Sequence, residues 1–377
     1  MEVQIALGLV GVVTAAIGLL VVWMLLKSHL AHRLDLQVRW TQAADSLGGR
    51  LTSKGGPFST LRIEAFVRDI PVVVDHYTRG GKGQQQRTRI GARAPGPVFE
   101  LSLSREHAMS GLTKALGSQD VEVGIRTIDE GFVIKTSDED LCRALFQTEV
   151  GQALQQAPGT YSFVAGDWGA RGECDLIEDN PATLTSGVHA TVALAHGDRV
   201  LRERWKQLAD GLEGTTTDAS VGCPLSDGPS ATISAQVSGV SVVIDTLRIE
   251  VGRIRNRTRT FTRIRAQHQT SHAHPFAVLK EGIPGVLRRM FDEVAVNGTS
   301  RNLEGSDYAV RAESSEVTEP VGELSSLLPS THPHLVADDG TDITVVLDGV
   351  VFDTATVSSA CSLIAKLLAR SRSTAYR

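Results

Sequence analysis

With 377 residues, 41% of them hydrophobic, the chain is too long for one ordinary domain and apolar enough to bury real cores. A formal charge of −5 excludes a dedicated nucleic-acid binder, which needs a basic excess to neutralise phosphates. Four cysteines, Cys142, Cys174, Cys223 and Cys361, lack any CxxC spacing, which excludes a zinc ribbon or a disulfide scaffold and reads as reduced, buried thiols.

Ile5 to Leu26 is an uncharged apolar run of 22 residues, enough to cross a ~30 Å hydrocarbon core as a helix. A cleaved signal peptide fits less well. Met1 to Gln4 contain no Lys or Arg, the run exceeds an ordinary signal core, and no small-x-small cleavage site follows. Lys27, His29, His32, Arg33 and Arg39 crowd the far side of the run, so the positive-inside bias places the large C-terminal part in the cytoplasm. Gly8, Gly11, Ala15 and Gly18 form a small-residue stripe along the helix. Such a stripe permits close helix contact in lipid, and with it a homo-oligomer through the span, although Gly and Ala are common in any membrane helix.

After this anchor and juxtamembrane segment (residues 1–37) the chain repeats itself. "WTQAADSLGGRLT" from Trp40 and "WKQLADGLEGTTT" from Trp205 agree at seven of thirteen positions. Val72-Val73-Val74-Asp75 matches Val242-Val243-Ile244-Asp245, "GFVIKTSDE" from Gly131 matches "DYAVRAESSE" from Asp307, and "ATLTSGVHATVALA" from Ala182 matches "ATVSSACSLIAKLLA" from Ala355. The order of the blocks never changes, which marks an internal duplication. The copies span residues 38–198 and 199–377.

Within the first copy an amphipathic helix at the Trp block precedes strands at Leu61 to Val67, Ile70 to Tyr77, Arg87 to Arg93 and Val98 to Leu103. Ser137 with Asp138, Glu139 and Asp140 reads as a helix start, since a capping oxygen and early carboxylates satisfy free amides and oppose the dipole. That helix is predicted to run to Gln156, and a last helix from Pro181 to His196. In the second copy, Gly222 to Pro229 and Pro320 to Pro333 read as loops. The expected fold is α+β: one transmembrane helix, then two tandem, internally repeated modules with mainly antiparallel sheets.

Candidate chemistry is sparse. Asp75 and Asp245 recur in matched strands, but His76 after the first becomes Thr246 after the second. A catalytic pair would want the same partner twice, whereas a cross-strand Asp–Arg pair needs only an Arg on the returning strand. His268, His272, His274, His332 and His334 hold five of the eleven histidines, yet no Cys or carboxylate completes a metal spacing, so no metal or cofactor is assigned. No phosphate loop, dinucleotide fingerprint, GxSxG or HExxH occurs.

Arg253, Arg255, Arg257 and Arg259 alternate along an expected ribbon and share one face, with Arg263 and Arg265 further on and Thr258, Thr260 and Thr262 on the other face. Such a ribbon is either a solvated, charge-protected hairpin or a contact for an anionic surface, the nearest being the inner leaflet. Arg is common throughout, with only eight Lys among 38 basic residues, which weakens the second reading.

The layout of one anchor, a Trp-led helix and two degenerate α+β copies resembles uncharacterised membrane-anchored proteins of high-GC bacteria. The resemblance implies a single-pass protein of a bacterial inner membrane and brings no activity with it. The expected role is a membrane-tethered binding or scaffolding module with a protein partner. The alternative is a hydrolase or metal-dependent enzyme using the His-rich second copy.

Overall fold

Helix α1, Glu2–Ser46, runs through the predicted span and the Trp block as one unbroken helix of 45 residues. In the computed structural model, residues 2–53, 60–79, 85–105, 121–157, 159–222, 230–251, 258–268, 275–283, 285, 287, 288, 299–302, 307–312 and 328–374 are described. Among them α1 is the one helix long and apolar enough to cross a membrane. Its character changes along its length: Leu19 and Leu25 are 72% and 66% exposed, whereas Leu36, Trp40, Ala43 and Ala44 are buried. The predicted border at residue 37 therefore falls inside a helix.

Each copy folds as an antiparallel sheet with its main helices on one face. The first sheet contains β1 (Arg50–Ser53), β2 (Leu61–Val67), β3 (Ile70–Arg79), β4 (Gln85–Ala92), β5 (Leu101–Arg105), β6 (Phe132–Thr136), β7 (Tyr161–Gly166) and β8 (Gly169–Cys174). Their order is β1-β2-β3-β4-β8-β7-β5-β6. The second sheet contains β9 (Thr215–Thr216), β10 (Ile233–Val237), β11 (Val240–Glu250), β12 (Thr258–Gln267), β13 (Phe276–Lys280), β14 (Thr299–Asn302), β15 (Tyr308–Ala312), β16 (Leu335–Asp338) and β17 (Asp342–Leu347). Its order is β14-β15-β13-β16-β17-β12-β11-β10-β9. Strand for strand the two orders are the same, with β14 added at one edge of the second. The expected α+β fold with two repeated antiparallel modules is what the chain adopts.

The helix predicted from Asp138 to Gln156 is two helices, α2 (Glu139–Phe146) and α3 (Glu149–Gln155). Thr148 interrupts them because its hydroxyl caps the Val150 amide, an arrangement that favours a fresh start over continuation. Helix α4 (Pro181–Ala195) packs against β8, β4 and β7 and is followed at once by α5 (Gly197–Gly211), which opens the second copy. Helix α6 (Thr354–Thr374) covers the second sheet as α4 covers the first. The stretch expected to be a loop before Pro333 contains a helical turn, Leu328–Thr331.

The repeated letters are explained by packing. Trp40 and Trp205 are each 1% exposed, Ala44 and Ala209 are equally buried, and Leu47 and Leu212 close the cluster. The shared glycine sits where helix passes to strand. A Cβ on Gly49 would come within 2.7 Å of the Ala65 Cβ, and one on Gly214 within 2.9 Å of the Ala235 Cβ. Hairpin turns match as well: Arg68 and Asp69 (φ 49° and 64°) join β2 to β3, and Ser238 and Gly239 (φ 53° and 77°) join β10 to β11. Paired positive φ values are those of the tight turn whose twist suits a two-residue hairpin.

One hydrophobic cluster runs from Leu36 in α1 to Leu368 in α6, so both copies share a continuous core. The outer faces of the sheets differ. Tyr77, Arg87, Ser102 and Glu173 on the first correspond by register to Leu247, Phe261, Ala277 and Val346 on the second. These four join Leu279, Leu335 and Ala337 in a second small core closed by Ile283 and Leu287.

Candidate functional site

The polar chemistry concentrates on strands β3, β4, β11 and β12, where the two copies carry the same device. Arg89 lies opposite Asp75 in the ladder and donates twice, from Nε to Oδ1 at 3.0 Å and from Nη2 to Oδ2 at 2.7 Å. Arg263 grips Asp245 in the same two-pronged way, at 2.8 and 2.7 Å. Arg265 adds a third bond to Asp245 at 2.9 Å. The repeated Asp is thus the cross-strand partner of an Arg in both copies, half-exposed in the first and buried to 1% in the second. Two carboxylate oxygens facing a planar guanidinium make a rigid, oriented pair.

One residue before each Arg stands a fully buried threonine, Thr88 and Thr262, of which alternation along the ribbon marked only the second, and only by its face. Thr88 Oγ1 donates to the Leu176 carbonyl at 3.0 Å and accepts from the Glu178 amide at 2.8 Å. Thr262 Oγ1 donates to the Gly349 carbonyl at 3.0 Å and accepts from the Val351 amide at 2.8 Å. Each hydroxyl pins the loop that leads from the last strand into the covering helix. The Trp indole adds to this in the first copy, donating to Glu178 O at 2.9 Å. In the second, Trp205 meets Phe352 edge-on at 6.2 Å and its Nε1 has no partner among the described residues.

The densest cluster joins the two copies. Beyond its pairing with β17, strand β12 continues through Thr258 to Phe261 and lies against the start of α2. There the Thr258 amide donates to Ser137 O at 2.9 Å. Asp138, fully buried, accepts from Thr258 Oγ1 at 2.9 Å, Thr260 Oγ1 at 2.6 Å and its own helix at Leu141 N, with Arg248 Nε 3.3 Å away. Asp140 accepts from Arg259 Nε at 2.6 Å and from the Thr260 amide at 3.1 Å. Arg259 reaches on to Asp348, which also meets His334 Nε2 at 3.0 Å. Burial raises the Asp140 pKa, only partly offset by the Arg259 hydrogen bond. The His334 hydrogen bond, opposed by burial, lowers that of Asp348. In a setting of low dielectric such pairs are directional and costly to break singly.

This arrangement changes the reading of the arginine ribbon. Thr260 and Thr262 are buried, so the threonine face is a core face, and the ribbon is a central pair of strands whose end docks on the first copy. Arg259, Arg263 and Arg265 spend their guanidinium groups on Asp140, Asp348 and Asp245. Arg253, Arg255 and Arg257 lie outside the described residues. Of the small-residue stripe, Gly18 faces open space, since a Cβ there would meet nothing within 4 Å. The side chains around Gly8, Gly11 and Ala15 lie outside the described set.

His268 is buried and shares its Nε2 with both oxygens of Asp338 at 3.1 Å. His272 and His274 lie outside the described residues, among which no three His, Cys, Asp or Glu side chains converge on one point. Cys142, Cys174 and Cys361 are buried free thiols; burial raises the pKa of each, that of Cys361 to about 12. Cys223 is not described. An open cleft of about 530 Å³ lies between the Arg68–Asp69 turn, Thr148 and Glu149, and the His196, Arg199 and Glu203 face of α5. Arg68 closes on Glu149 at 3.1 Å across it.

Compared with family models, with curated proteins and with solved structures, the chain matches none.

Proposed function

We propose that the chain is a membrane-tethered binding or scaffolding protein, held by α1 in a bacterial inner membrane with both sheet modules in the cytoplasm. The observation that carries this reading is the unbroken α1. One end of the helix exposes Ile17 to Leu26 and the other buries Leu36, Trp40 and Ala43 in the first module. An exposed apolar surface of that size on a single helix needs a partner, and lipid is the one its length fits. The charge bias of Lys27 to Arg39 supports the cytoplasmic side. A binding role is favoured over a hydrolase or metal enzyme because the recurring carboxylates Asp75 and Asp245 are held by arginine, and His268 and His334 by Asp338 and Asp348. The partner is an unidentified protein, and the small-residue stripe of α1 offers a second copy of the chain as a further contact in lipid.

Two measurements test the reading. The full chain should stay with the membrane pellet through a high-salt and carbonate wash, and alkaline phosphatase fused to its C-terminus should be inactive. Release by carbonate removes the tether, and an active fusion reverses the topology. Cross-linking in intact cells followed by mass spectrometry then identifies the partner.

A further inference from the structure

The first module is joined to the span without a linker, so the direction of α1 fixes which end of its sheet faces the lipid. Past the C-terminus of α1, Gly49 lies against Ala65, which pairs with Val72 on β3. Nine residues back, the Trp40 ring meets His76 at 5.8 Å. From Val72 to His76 the strand advances about 13 Å, and from Gly49 to Trp40 the helix retreats by a similar distance, about 13 Å. Strand β3 therefore runs back along α1 toward the span. Burial lowers the His76 pKa, opposed by the charge of Asp75 and aided by that of Arg33, two turns nearer the span. The ring contact places His76 near the level of Trp40.

From the Trp40 level to Leu26, the last apolar residue of the run, is about 21 Å along the helix. From His76 to Arg79, the end of β3, is about 10 Å toward the same level. Gln85 opens β4 opposite Arg79, and Thr78, Gln85 and Gln86 are exposed. The ladder end thus falls within about 11 Å of the hydrocarbon boundary, which exposed Lys27 marks on the helix and beyond which headgroups occupy roughly the outer 5–8 Å of each leaflet.

We infer that the β3–β4 end of the first module is an interaction surface for the phospholipid headgroups of the bilayer that α1 spans, with the opposite sheet end, marked by Phe66 and Trp168, turned away into solvent. This rests on the reading of α1 as a span. The surface is polar and uncharged at Thr78, Gln85 and Gln86, which suits hydrogen bonding to phosphate and glycerol oxygens. Lys27, at the boundary itself, supplies the attraction to anionic lipid. Phe66, 75% exposed, belongs to the far end of β2 and lies beside Pro71 at the start of β3.

The test uses the full chain in proteoliposomes, with Cys223→Ser to remove the one thiol not shown to be buried. A fluorophore is attached at Gln85→Cys or, as control, at Phe66→Cys, and the lipids carry a nitroxide on the headgroup. Loss of fluorescence at position 85 with none at position 66 is the expected result. Equal quenching at both positions, or stronger quenching at 66, overturns the inference while leaving the tether intact. Should the labelled chains fail to float with the liposomes, the tether itself falls and this surface with it.

Discussion

At the scale of single residues, the same pair is placed in two different environments. Asp245 is 1% exposed and Arg263 13%, whereas Asp75 and Arg89 are 19% and 42% exposed. Removing one partner of a buried pair strands a charge, which costs about 3 to 5 kcal/mol, while an exposed pair contributes roughly 0 to 1 kcal/mol. Arg263→Ala, which leaves buried Asp245 with the single bond from Arg265, should therefore lower the urea midpoint more than Arg89→Ala, whose effect should be slight. Similar losses from both would show that burial does not decide the value of the pair. The buried threonines act alike in both copies, because each satisfies one carbonyl and one amide of a loop. Thr88→Val and Thr262→Val should each cost about 1 to 3 kcal/mol, the penalty of leaving such groups unpaired. Equilibrium denaturation of the two variants checks this, and a neutral valine would mean that water replaces the hydroxyl.

At the scale of elements, the two Trp-led helices dock by the same contacts with one difference. Trp40 Nε1 donates to Glu178 O, and Trp205 Nε1 to no acceptor among the described residues. Trp40→Phe should consequently cost about 1 kcal/mol more than Trp205→Phe, the net worth of one hydrogen bond. Stability of the matched pair of variants, by denaturant titration, reads this difference directly. The junction between α2 and β12 carries a second prediction. Asp138 caps α2 and accepts from Thr258 and Thr260 of the other module, so Asp138→Ala removes a cap and leaves Arg248 facing a void. The loss should be about 3 to 5 kcal/mol, and unfolding should split into two transitions as the modules uncouple. A single transition at the wild-type midpoint would show that the shared apolar core alone couples them.

At the scale of the whole molecule, acid sensitivity follows from histidines held neutral. Burial lowers the pKa of His76, His189 and His196 below the ordinary value. The unfolded chain then binds protons below about pH 6.5 that the folded chain refuses, so stability is lost as pH falls through that value. Buried Asp140 and Asp198, whose pKa values are raised by burial, act in the opposite sense. Melting temperature should fall between pH 7 and pH 5.5, and replacing all three histidines with Gln should flatten that slope. An unchanged slope in the triple variant would assign the acid loss to other groups.

Much of the architecture could be read from the chain because it rests on local or repeated signals. Apolar length marks the long helix, alternation marks β2 and β3, and the matched Trp, Ala, Leu and Gly positions reappear as the same packing site in both modules. The Asp–Arg pairing was legible for the same reason, since in both copies the Asp-bearing strand is followed by a returning strand rich in Arg. What the chain could not reveal depends on contacts between distant segments. Asp138 and Thr260 are 122 residues apart, and nothing near either one indicates that a helix cap also anchors a strand of the other module. The arginine ribbon looked solvated because the carboxylate partners of Arg259 come from α2 and from the segment after β17, far along the chain. Alternation shows that residues share a face, but only the assembled sheets decide what that face meets.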